Sequence, residues 1–183
     1  MLIDPSNSSL LLIDVQRKLL PKICESKKLE DSILNCLEVS YRLNLPIFFS
    51  EQYPKGLGIT VDKVLEKLLS YKAYKFEKTS FSCFPTSSQS VKTGQLLKLK
   101  QVILIGIETH ICVLQTAVDL KEKGYEVFVI FEAVGSRKNK DKDLALTRMI
   151  SCGIQVITFE MMLFELLRDS KNEHFKSLSK LIK

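Results

Sequence analysis

The chain has 183 residues, 45% hydrophobic and 26% charged, which suits one domain with one well-buried core and excludes disordered and collagen-like readings. Its opening, MLIDPSNSSLLLIDV, has neither the basic segment of a signal peptide nor an apolar run long enough to span a membrane, so no membrane partner is expected. The net charge of +6 admits an acidic partner, but the lysines are spread along helix faces and the C-terminal tail, so a solvated surface is expected and no nucleic acid.

In chain order, Ser9–Val15 (SLLLIDV) is an apolar run broken by an acid and predicts a first strand with Asp14 at its carboxyl end. Such an Asp is often a turn residue, yet this is also where α/β sheets bind ligands. Ile33, Leu37, Ser40 and Tyr41 share a stripe and predict a helix over Leu29–Leu43, stopped by Asn44. Pro46 opens a second strand, PIFFSE, and the Pro- and Gly-containing loop QYPKGLGIT follows. A weak helix is expected over Val61–Leu69 and a short third strand over Tyr74–Phe76. Lys78 then lies in the loop EKTSFSCFP among Phe76, Phe81 and Phe84, either as a solvated charge or as an ammonium held in a pocket. A helix is expected near Ser87–Leu99.

Val102–Ile105 is a continuous apolar run within a fourth strand over Gln101–Ile107, as in a strand covered on both faces. Gly106 ends that run, Thr109 offers an N-cap hydroxyl, and a helix is predicted over Cys112–Lys123 with Gly124 as its stop. There follow a strand over Tyr125–Phe131, a helix over Lys138–Ser151, a strand over Ile154–Phe159 and a helix over Glu160–Arg168. The tail Asp169–Lys183 is weakly amphipathic and is expected to dock on a partner subunit or to fray. This alternation predicts a parallel sheet with helices on both faces, joined by right-handed crossovers. Neither GxGxxG nor GxxxxGK[ST] is present, so dinucleotide and P-loop readings lack support.

Cys112 falls just past a central strand and near a helix N-terminus, where partial positive charge favours thiolate over thiol. The alternative is a small core hydrophobe, a frequent role for free cysteine. Cys24, Cys36, Cys83, Cys112 and Cys152 are odd in number and form no zinc-ligand spacing, so reduced thiols are expected, in the cytoplasm or alternatively in mitochondria. Cys83 could face the same pocket as Lys78 or pack with Phe81 and Phe84. His110 and His174 are the only imidazoles, which rules out a three-histidine metal site within one chain.

Three segments, LLLIDVQRKLL, FEKTSFSCF and GIETHICVLQTAVDLKEKGYEVFVIFEAVGSR, together resemble the isochorismatase-like cysteine hydrolases over roughly Ser9–Phe164. SEQYPKGLGIT is similar to the corresponding loop of the isochorismatase-domain-containing subgroup. The resemblance implies a three-layer α/β/α fold with a six-stranded, mainly parallel sheet in the order 3-2-1-4-5-6. It places the family's catalytic aspartate at Asp14, its lysine at Lys78 and its nucleophile at Cys112. It also implies a cis peptide at Ile107–Glu108 and an oxyanion hole built from the backbone N–H groups of Glu108 and Cys112.

The chemistry so implied is hydrolysis of a small amide-type C–N bond through a thioester, without metal or cofactor. Nicotinamidases of the family carry an Asp/His metal site after the second strand, and FFSEQYPKGLG has no histidine there. Where relatives often carry an aromatic, this chain has Leu19, which with Phe81 and Phe84 is expected to line the substrate pocket. A homo-oligomer is expected. The competing reading is an oligomeric interaction protein of the same fold with a vestigial triad.

Overall fold

A computed structural model describes residues 1–84 and 99–182. Six strands, β1 (Ser8–Ile13), β2 (Ile47–Gln52), β3 (Tyr74–Lys78), β4 (Gln101–Ile107), β5 (Glu126–Gly135) and β6 (Gln155–Ile157), form one sheet in the order β3-β2-β1-β4-β5-β6. All five pairings are parallel. Strand order reverses between β1 and β4, and that gap is the switch point at which open α/β sheets bind ligands.

The strands are apolar on both faces because helices cover both. Leu10, Leu12, Ile103 and Ile105 pack on one side with α1 (Ser26–Arg42), α3 (Asp62–Ser70) and α6 (Phe159–Leu167). Their neighbours Leu11, Ile13, Val102 and Leu104 pack on the other side with α4 (Leu114–Glu122) and α5 (Asn139–Ser151). The short helix α2 (Pro54–Leu57) lies in the loop after β2. No described helix is long and apolar enough to cross a membrane.

Several elements differ from the sequence reading. β3 runs on to Lys78, because pairing with β2 continues to Gln52↔Lys78. β5 is longer than expected because a bulge absorbs the residues between Val129 and Val134 opposite β4. β6 is shorter, since Thr158 turns its hydroxyl to the Met161 N–H and starts α6. Tyr41 is exposed rather than buried and stacks on Tyr71 with ring centroids 4.1 Å apart. The tail docks on its own chain: α7 (Phe175–Leu178) buries Leu178 in the α1-side core, and Phe175 packs near Phe164. The helix expected near Ser87–Leu99 falls almost wholly outside the described residues.

Candidate active site

Asp14 follows β1 in a left-handed backbone conformation (φ 52°), which Asp tolerates better than most residues. Gly106 makes room beside it. It pairs with Ile13 at φ 115°, and a Cβ there would lie 2.2 Å from the Ile13 carbonyl oxygen. β1 and β4 therefore close up where the site begins.

Lys78, at the end of β3, reaches across β2 to Asp14, with Nζ 2.6 Å from Oδ2. The same ammonium donates to Gln52 Oε1 (2.7 Å) and to the carbonyls of Ser80 (3.2 Å) and Phe81 (2.9 Å). The aromatic-rich loop thus contributes backbone oxygens to the lysine. Burial opposes the charge on Lys78, but its surroundings, the Asp14 carboxylate among them, outweigh it and raise its pKa.

Ser50 donates to the other carboxylate oxygen, Asp14 Oδ1, at 2.7 Å. Cys83, 1% exposed, donates its thiol to Ser50 Oγ at 3.4 Å. Its backbone N–H donates to Thr116 Oγ1 (2.9 Å), which in turn donates to the Cys112 carbonyl (2.7 Å). Gln16 pins the same end of β2, accepting from Gln52 N and donating to Gln52 O and Gly58 O.

Cys112 is 7% exposed and sits in a single π-helical turn, Thr109–Val113, ahead of α4. Leu114, not Cys112, therefore begins the α-helix. Thr109 is not its N-cap, and Thr109 Oγ1 is buried without a hydrogen-bond partner among the described residues. The Cys112 thiol is also not lowered toward thiolate. Burial pushes its pKa up most, the Asp14 carboxylate pushes it further, and Lys78 pulls it back only in part. At neutral pH it rests as a protonated thiol beside a carboxylate.

The Ile107–Glu108 peptide is cis. The Glu108 side chain has a role that reasoning from its backbone missed: its Oε2 accepts from Arg137 N (3.2 Å) and Nε (3.0 Å). His110 Nδ1 lies 3.0 Å from Ser136 Oγ. Phe84 packs against the core that holds Cys112, Phe81 is 55% exposed, and Leu19 packs against the core of the opposite face. Among the described residues, no group of three or more His, Cys, Asp or Glu side chains is placed to hold a metal ion.

Sequence reasoning missed Ser50, Gln52 and Thr116 and left Cys83 undecided. Strand parity held a signal for two of them, since Ser50 and Gln52 share a face with Phe48, opposite Phe76 and Lys78 on β3.

A doubly wound sheet with an acid, an ammonium and a thiol gathered about its switch point defines the class, an isochorismatase-like hydrolase fold. The chain belongs to the isochorismatase family: residues 8–161 match the Isochorismatase domain. It is similar to isochorismatase family protein 1B of Dictyostelium discoideum, 36% identical over 95% of this chain and 85% of that protein. Among solved structures, the MAR1 ribonuclease of Caenorhabditis elegans superposes with a TM-score of 0.91 at 36% identity, covering 100% of this chain and 92% of that one. The YcaC gene product of Escherichia coli, described as an octameric hydrolase of unknown specificity, superposes with a TM-score of 0.85 at 25% identity, covering 100% and 89%.

Proposed function

We propose that this protein is a cysteine hydrolase that cleaves a small amide-type C–N bond through a thioester on Cys112. The buried Asp14–Lys78 pair, coupled electrostatically to the Cys112 thiol, carries this reading. A raised thiol pKa demands a base at the moment of attack, and Asp14 is that base. Lys78 stays charged and compensates the carboxylate.

As the sulfur bonds to the carbonyl carbon, the thiol proton passes to Asp14 and the carbonyl electron pair moves onto oxygen. The backbone N–H groups of Glu108 and Cys112 stabilise that oxyanion, a contribution of about 3–4 kcal/mol per donor in well-measured hydrolases. Collapse breaks the C–N bond, and Asp14 returns the proton to the departing nitrogen. Water then cleaves the thioester, restoring the thiol. Phe81 and Phe84 are proposed to line the approach of a small substrate, with no metal or cofactor taking part. A homo-oligomer is part of the same proposal, supported by the octameric E. coli relative.

The test is a panel of small amides and activated esters, comparing the native protein with Cys112→Ala and looking for an acyl adduct on Cys112 by mass spectrometry. Turnover with an adduct, abolished in Cys112→Ala, is expected. Equal turnover by both proteins overturns the mechanism, and absence of turnover on the whole panel favours the interaction-protein alternative. RNA cleavage is a second reading, favoured by the +6 charge and by the name of the C. elegans neighbour. It requires RNA degradation that co-purifies with the chain and vanishes on substitution of Asp14 or Cys112.

A further inference from the structure

Two buried hydrogen-bonding groups beside the triad have no part in the steps above. Ser50 is 1% exposed and its hydroxyl donates to Asp14 Oδ1 at 2.7 Å. Cys83 is 1% exposed and its thiol donates to Ser50 at 3.4 Å. A serine hydroxyl has one proton to give. With the Cys83 S–H directed at the Ser50 oxygen, the Ser50 proton goes to the carboxylate. Burial pushes the Cys83 thiol up to about 12, so it remains a donor at neutral pH.

We propose that Ser50, oriented by the Cys83 thiol, is a positioning residue that holds the Asp14 carboxylate in the orientation from which it takes the Cys112 proton. Oδ1 is occupied by the Ser50 hydroxyl. Oδ2 receives Lys78 at 2.6 Å, and each oxygen keeps a second lone pair. The two donors bind opposite oxygens of a carboxylate whose backbone is itself held at φ 52°, so the ring of contacts fixes the carboxylate plane. β2 supplies the hydroxyl because its register sets Ser50 opposite Ile13, the residue before Asp14.

This inference rests on Cys112 being the nucleophile, and the experiment separates the two ideas. The probe is p-nitrophenyl acetate, with release of p-nitrophenol followed by stopped flow and the acetyl group located by mass spectrometry. Ser50→Ala is expected to slow acetylation of Cys112 at least tenfold with little change in the ester concentration giving half the maximal rate. Cys83→Ala is expected to show a smaller loss of the same kind, restored by Cys83→Ser, which supplies an O–H in place of the S–H. If Ser50→Ala fails to fold, the contrast between Cys83→Ala and Cys83→Ser carries the test. Native rates in Ser50→Ala and Cys83→Ala, with no acetylation of Cys112→Ala, overturn the positioning role and leave the nucleophile standing. A native protein not acetylated at Cys112 overturns both.

Discussion

Lys78 Nζ and Asp14 Oδ2 lie 2.6 Å apart, and their side chains are 0% and 1% exposed. Neither charge is hydrated, so each depends on the other and on the fixed dipoles around them. Such a pair is a weak source of net stability, but removing one partner strands the other in a low dielectric. Lys78→Met is therefore expected to destabilise the fold by about 3–5 kcal/mol. Asp14→Asn combined with Lys78→Met is expected to cost clearly less than the sum of the two single changes. Urea denaturation of the four proteins measures the coupling, and additive losses would show that the two charges do not depend on each other.

Gly106 faces the Ile13 backbone too closely to tolerate a methyl group, with contacts of 2.2 Å and 2.7 Å to its carbonyl oxygen and nitrogen. Gly106→Ala has to part β1 from β4 just before Asp14. A loss of about 3 kcal/mol or more is expected. Gly124 also has a positive φ, but nothing lies within 4 Å of its Cβ position, so Gly124→Ala is expected to cost only about 1 kcal/mol. Chemical denaturation separates the two, and equal costs would contradict the close approach.

Thr116 holds the Cys83 backbone to the Cys112 carbonyl through one hydroxyl. Thr116→Val keeps the shape and leaves a buried N–H and C=O without that partner, at an expected cost of about 1–3 kcal/mol. Thr116→Ser retains the hydroxyl and is expected to lose much less. Comparing their melting temperatures checks this: a Thr116→Val protein as stable as Thr116→Ser would show that the bridge contributes nothing.

Cys36 lies in the α1-side core, and burial, with a smaller push from Glu132, holds its thiol far above its ordinary value of 9.0. The native state keeps that proton at a pH where the unfolded chain has lost it. The stability so contributed is complete below about pH 8 and is lost as pH climbs past 9, by about 1.4 kcal/mol per unit. Unfolding free energies of native protein and Cys36→Ala measured at pH 8 and pH 10.5 are expected to show the steeper fall for the native protein, by about 2 kcal/mol. Parallel falls would mean that Cys36 ionises as freely in the fold as outside it.

The alternation of apolar runs and helical stripes was enough to predict a parallel sheet covered on both faces, and every described strand and main helix lies where that pattern put it, within a few residues. Matched segments supplied the strand order and pointed to Asp14, Lys78 and Cys112. These properties are legible because periodicity and motif belong to neighbours along the chain. Ser50 under Asp14, Gln52 against Lys78, the thiol of Cys83 on Ser50 and the return of the tail onto α1 were decided only by tertiary structure. Lys78 and Asp14 are 64 positions apart, and Cys83 and Ser50 are 33. Which side chains meet over such separations depends on strand register and on how closely β1 and β4 approach at Gly106. The state of Cys112 was decided there as well, because burial and the Asp14 carboxylate raise its thiol pKa more than Lys78 lowers it.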